Sequence, residues 1–222
     1  AALTHRVSKA LRAAFGYTVI EAYGKTEAAH QLTSIPLGKN TQKAGFVGVV
    51  TSPEVCILDA GGVVQPQGSE GEVCIRGENV TPGYENNDAA NASSFTNGWF
   101  RTGDQGCFDT EGYLKITGRL KEIINRGGEK ISPLEVDNIL MEHPAIQQVV
   151  TFAVADKMLG EDIAAAVVLA EGASLSEAEL KEYANAHLAK FKVPKHIKFL
   201  DEIPKGATGK LQRIGLAEKL GL

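Results

Sequence analysis

Apolar and polar positions follow three regimes along the chain. Leu3, Val7, Ala10, Leu11 and Ala14 recur on one side of a helical period, which predicts an amphipathic helix over Leu3 to Phe15. Gly16 stops that helix, and Thr18 to Glu21 reads as a short apolar strand leading into a loop. A helix feeding a short buried strand is the tail of an α/β unit. Residues 1–50 are therefore expected to belong to a larger layered domain whose other strands lie upstream.

From Gly45 to Gly118 the pattern shortens to strands and turns. Val55–Asp59, Ala60-Gly61-Gly62 and Val63–Gln65 predict a β-hairpin, and Glu72–Arg76 and Gly112–Thr117 predict further strands. Residues 51–118 are read as a small β-barrel subdomain. The remainder, 119–222, mixes both periods. Ser132-Pro133-Leu134-Glu135 is a capping-box sequence opening a helix with Val136, Ile139 and Leu140 on its stripe. Ile146–Val154 and Ala164–Leu169 read as buried strands. Ser176 and Glu179 open a second helix, whose apolar face is expected from Leu180, Tyr183, Ala184, His187, Leu188 and Phe191. His196–Leu200 is a last strand. The fold class is α+β with several domains, and the natural boundary falls between Gly118 and Lys121.

Composition excludes several functions. Of the 222 residues 43% are hydrophobic and 23% charged, and the net charge is −4, an ordinary globular balance with no basic run for nucleic acid. No stretch approaches a membrane span, and the start is no signal peptide. Cys56, Cys74 and Cys107 are too few and too scattered for a disulfide framework or zinc site, which points to an intracellular, reducing compartment.

Four polar, glycine-bearing clusters interrupt the patterns, each read as a turn. They are Tyr23-Gly24-Lys25-Thr26-Glu27, Trp99-Phe100-Arg101-Thr102-Gly103-Asp104, the run Gly118 to Pro133, and Pro204-Lys205-Gly206-Ala207-Thr208-Gly209-Lys210. The last is not a nucleotide P-loop, because its glycine spacing is wrong and Leu211 stands where Ser or Thr would.

Taken in this order, the clusters resemble the adenylate-forming superfamily of acyl-CoA synthetases, luciferases and peptide-synthetase adenylation domains. The resemblance covers nearly the whole chain but only the second part of such an enzyme, since the phosphate loop expected upstream is absent from these residues. It implies an ATP-dependent acid–CoA ligase that adenylates a carboxylate and then transfers the acyl group to coenzyme A. The isolated 222 residues are expected to be catalytically inert and to partner the missing N-terminal part. An adenylation domain of the peptide-synthetase type, or an inactive nucleotide- or partner-binding piece, is the alternative.

The resemblance assigns roles residue by residue. Glu27 would hold Mg²⁺ and Thr26 would bond the α-phosphate. Tyr23 and Gly24 belong to the same nucleotide-binding turn, Asp104 would accept both ribose hydroxyls, and Arg119 would add donors beside it. Lys210 would stabilise charge in the adenylation transition state. Lys121 falls at the hinge about which the C-terminal lid domain swings, and Gly127 and Gly128 would admit the pantetheine arm of coenzyme A. Lys25 within the first motif, Asp137 and Gly206 depart from the common pattern. The runs Ala22 to Gln31, Gly77 to Tyr84, Phe100 to Phe108 and Asn125 to Pro133 look like the oxalate–CoA ligase branch. His30 is then the candidate for a second substrate carboxylate. A cytoplasmic or peroxisomal setting fits, although Lys219-Leu220-Gly221-Leu222 is no SKL-type signal.

Overall fold

The computed structural model describes residues 3, 5–38, 41–206, 209 and 211–222. Lys210, the expected adenylation lysine, lies outside them. The chain divides into two compact units, Val7–Leu120 and Lys121–Leu222, the second joined by the first residues up to Arg6.

Helix α1 runs His5–Phe15. Its expected apolar stripe is open, with Val7 exposed, and Phe15 and Tyr17 beyond it are exposed too. The strand expected at Thr18–Glu21 instead begins four residues later: β1 is Ala22–Lys25, paired antiparallel with β2, His30–Ser34, which continues onto β3, Val49–Val50. Val19 is half-buried and Ile20 exposed, and it is the ladder from Ala22 opposite Ser34 that defines the strand.

A five-stranded sheet follows. β4 is Glu54–Leu58 and β5 is Gly71–Arg76; after helix α2, Asp88–Ser94, come β6, Phe95–Thr96, β7, Trp99–Phe108, and β8, Leu114–Arg119. The order is β4-β5-β7-β6, with β8 also on β7. The hairpin expected after β4 is present in short form, with an antiparallel bridge from Leu58 to Val64, Asp59 N donating to the Val63 carbonyl at 3.0 Å and Gln65 N to the Ile57 carbonyl at 2.8 Å; Val63 and Val64 are exposed. The second polar cluster is not a turn but the heart of β7. Burial alternates along β7, yet Thr102 and Asp104 occupy inward positions, so the period of two is invisible to hydrophobicity. Ala28, Leu32, Ile75 and Phe100 form one core beneath Tyr23, which seats the first sheet against β5 and β7.

In the second unit, β9 (Ile124–Arg126) and β10 (Glu129–Ile131) make a hairpin, and helix α3 is Pro133–Met141. β11 (Ile146–Asp156) and β12 (Gly160–Leu169) form a long antiparallel pair, followed by helix α4 (Glu177–His187), β13 (His196–Phe199) and helix α5 (Leu216–Lys219). The sheet order is β10-β9-β12-β11, with β13 parallel to β12. Both faces of the central pair are covered. Ile163, Ala165 and Val167 pack on Val136, Leu140, Leu180 and Ala184 from the helices. Their alternates Ala164, Ala166 and Val168 pack with Ile203 and Leu216. That two-sided burial explains the continuous apolar run in β12.

Two cap readings separate here. Ser176 and Glu179 form the reciprocal capping box. Ser132 precedes α3 with proline at the start of the helix, but its hydroxyl makes no cap bond. The face of α4 is narrower than expected: His187 is exposed, and Phe191, also exposed, sits in a separate turn Lys190–Lys192.

Candidate nucleotide and thiol sites

Asp104 is the centre of the first unit's polar site. The carboxylate is 7% exposed, midway along β7 and directly opposite Arg119 on β8. Arg119 Nε donates to Oδ1 at 3.0 Å. Two alternate residues of β1 reach the other oxygen: Tyr23 Oη donates at 2.6 Å and Lys25 Nζ at 3.2 Å. Lys25 also donates to the Thr102 carbonyl at 2.8 Å. Burial, reinforced by the Asp104 charge, pushes the Tyr23 phenol far up, so it remains a donor. The carboxylate thus sits among two cations and a phenol, with Arg119 about half exposed beside it.

Gly24 lies between these donors and fits a backbone approach that no other residue allows. A Cβ there would stand 1.9 Å from the His30 carbonyl oxygen. The close approach sits at the irregularity in the β1–β2 ladder between Tyr23 and Gly24. It folds Thr26–Ala28 into a tight turn. Ala29 and His30 then take positive φ, 52° and 90°, a backbone that L residues adopt only at a cost.

Glu27 is half-buried in that turn. Its Oε1 accepts the Tyr84 hydroxyl at 2.9 Å, and its carbonyl accepts Thr81 N at 2.7 Å. Asn79 holds the Ala28 carbonyl at 3.0 Å. Thr26 is exposed next to it. The donor set is all oxygen, which suits a hard cation such as Mg²⁺, and such an ion takes one or two carboxylates and completes its shell from phosphates and water. Among the described residues no group of three or more His, Cys, Asp and Glu could hold a metal alone. His30 is exposed, and its imidazole has no hydrogen-bond partner among the described residues.

In the second unit Lys121 is exposed within the turn Leu120–Glu122. Gly127 and Gly128 form the exposed β9–β10 turn at φ of 58° and 96°. Asp137 is buried and joined to Arg213, which also pairs with Glu122. Burial pushes the Asp137 carboxyl up, and Arg213 opposes that shift. Tyr84, Asn79 and the partners of the glycine turn were not singled out as site residues in the sequence. Tyr84 closes a run that carried the resemblance, but nothing in the run shows that its hydroxyl meets Glu27.

The chain is similar to known proteins in sequence and in fold. Residues 1–85 match the family model described as AMP-binding enzyme, and residues 135–210 match the AMP-binding enzyme C-terminal domain. The chain belongs to this adenylate-forming family. Among curated relatives it is 49% identical to an oxalate–CoA ligase of Arabidopsis thaliana over 214 residues, 96% of this chain and 42% of the relative. It is 52% identical to an oxalate–CoA ligase of Saccharomyces cerevisiae over 206 residues, 92% of this chain and 38% of that protein. ATP-bound MatB of Rhodopseudomonas palustris superposes with a TM-score of 0.89 at 31% identity, over 96% of this chain and 43% of that one. An o-succinylbenzoate CoA synthetase of Bacillus subtilis, solved with its acyl-adenylate intermediate, gives 0.86 at 34% over 96% and 43%. The chain thus spans about two-fifths of the length of the relatives it matches.

The three cysteines are free, and burial pushes the Cys56 and Cys74 thiols up to about 11 and about 12. No helix among the described residues is long and apolar enough to cross a membrane.

Proposed function

We propose that these residues are the nucleotide-closing and thiol-admitting part of an AMP-forming acid–CoA ligase that acts on a small dicarboxylate, oxalate being the first candidate. The observation that carries the reading is Asp104, a buried carboxylate at the mouth of a strand pair with Arg119 beside it. A carboxylate offers about four acceptor positions, and Tyr23, Lys25 and Arg119 leave room for a ribose hydroxyl. Displacement of the weaker Lys25 contact admits the second. The cluster of one anion and two cations is net positive, which suits a nucleotide whose phosphates are anionic.

Thr26 would donate to the α-phosphate, and Glu27, oriented by Tyr84, would hold Mg²⁺ against the phosphates. The ion supplies charge neutralisation at the departing pyrophosphate. Lys210 would meet the same α-phosphate as the carboxylate attacks. The Gly127-Gly128 turn would then face coenzyme A, whose thiol displaces AMP, with Lys121 as the pivot between the two steps.

The test is on the full-length protein. Pyrophosphate exchange should depend on a carboxylic acid, with oxalate ahead of acetate, and coenzyme A should convert the adenylate to a thioester. Acyl transfer only to a carrier protein, and not to free coenzyme A, would favour the peptide-synthetase alternative. Absence of exchange with any carboxylic acid would overturn the reading.

A further inference from the structure

The exposed Gly127-Gly128 turn is held by Leu159, in the turn between β11 and β12, and by the first residues of β12. Gly127 N donates to the Leu159 carbonyl at 2.9 Å. Asn125 N donates to Glu161 Oε2 at 2.6 Å, and Arg126 Nε donates to Asp162 Oδ1 at 2.7 Å. Arg126 also lies opposite Gly160 in the ladder. Three consecutive residues of the hairpin are thus fixed by Leu159, Glu161 and Asp162.

The anchor is itself braced. Asp162 is 1% exposed; its Oδ1 also accepts Ile163 N at 2.9 Å, and Lys195 Nζ stands 3.4 Å from Oδ2. Lys195 reaches Asp156 Oδ2 at 2.7 Å, while Asp156 Oδ1 accepts Met158 N at 2.9 Å and Leu159 N at 3.0 Å. Asp156 therefore shapes the turn that presents the Leu159 carbonyl. Burial works against the Asp162 charge, yet Arg126, the Ile163 amide and Lys195 hold the carboxyl below its usual range.

These contacts commit Arg126. A guanidinium engaged by a buried carboxylate is not free to seize a ligand, since leaving that carboxylate unpaired is costly. We propose that Glu161 and Asp162 are positioning residues for the thiol step, and that Arg126 anchors the glycine turn rather than binding the phosphates of coenzyme A. The turn then offers backbone alone to the pantetheine arm. This rests on the reading that the turn meets coenzyme A.

The experiment uses the full-length enzyme and three variants, Asp162→Asn, Glu161→Gln and Arg126→Ala. Asp162→Asn and Glu161→Gln should raise KM for coenzyme A about tenfold, as expected for a displaced positioning loop, and leave pyrophosphate exchange unchanged. Arg126→Ala should weaken coenzyme A and dephospho-coenzyme A by the same factor. A selective loss for coenzyme A would make Arg126 a phosphate ligand and overturn the assignment. Amide hydrogen exchange gives a readout that needs no coenzyme A. Gly127 should exchange faster in Asp162→Asn or, if that variant fails to fold, in Arg126→Lys. Unchanged protection at Gly127 would sink the anchor, whereas a wild-type enzyme indifferent to coenzyme A would sink only the functional reading beneath it.

Discussion

The phenol of Tyr23 donates to Asp104 across 2.6 Å, joining the end of a short edge strand to the middle of the longest strand in the neighbouring sheet. Neither residue would be placed without the other. Asp104 sits on an inward position of β7 that a hydrophobic residue would otherwise fill, and the buried Tyr23 hydroxyl finds its partner there. Removing the hydroxyl keeps the ring and its packing. Tyr23→Phe should therefore lower the thermal midpoint by a few degrees, through loss of a hydrogen bond to a carboxylate, and weaken AMP binding about tenfold because Asp104 is no longer held in place. Isothermal titration of the full-length enzyme measures it, and unchanged AMP affinity would remove Tyr23 from the site.

Gly24 gives the most demanding backbone test. A methyl group at this position meets the His30 carbonyl at 1.9 Å, so the β1–β2 ladder has to part. Gly24→Ala should lower the melting temperature by several degrees and depress acyl-adenylate formation about a hundredfold, because Thr26 and Glu27 hang from the displaced turn. A variant with wild-type exchange rates would show that the turn tolerates the shift.

Much of this arrangement was legible because turn chemistry announces itself. Gly24, Gly127 and Gly128 stand out by spacing, and the apolar run of β12 declares a strand buried on both faces. What stayed hidden was polarity turned inward. Thr102 and Asp104 made a central strand look like a turn, and Glu161 and Asp162 lie ahead of the apolar run Ala164–Leu169, where no hydrophobic period marks them as part of β12 beside β9. Contacts such as Tyr84 with Glu27 span 57 positions, and no local period encodes them.

Lys210 lies outside the described residues, so its role rests on sequence. In the full-length enzyme Lys210→Ala should slow pyrophosphate exchange a hundredfold or more, equivalent to about 2.7–4 kcal/mol for one lost transition-state contact. Thioester formation from supplied acyl-adenylate should fall far less. Equal losses in both half-reactions would contradict a role confined to adenylation.

Acid should release the brace behind the glycine turn. Asp162 is held below its ordinary 3.8 in the folded chain, so its contribution is present above that value and is lost as pH falls through the depressed one. Asn at this position cannot titrate. The difference in melting temperature between wild type and Asp162→Asn should be full at pH 7 and shrink steadily below about pH 4. A constant difference from pH 7 to pH 3 would mean that the Asp162 charge contributes nothing to folding.

His30 tests substrate choice separately from class. It follows the Glu27 turn at φ of 90°, with an exposed imidazole that has no hydrogen-bond partner among the described residues. Its backbone pairs with Lys25 in the ladder, and its side chain is left exposed beside the Glu27 turn. A small dicarboxylate presents one carboxylate to ATP and keeps the other charged within a closing site, where an unpaired anion is costly. An imidazole meets it as a donor and, when protonated, as a cation. His30→Val should therefore depress kcat/KM for oxalate about ten- to a hundredfold more than for acetate in the full-length enzyme, matching about 1.5–3 kcal/mol for a bond to a charged group. Asn, a donor without a charge, should restore part of the difference. Equal losses for the two acids would make His30 a backbone requirement only, and a wild-type preference for acetate would move the substrate class while leaving adenylation in place.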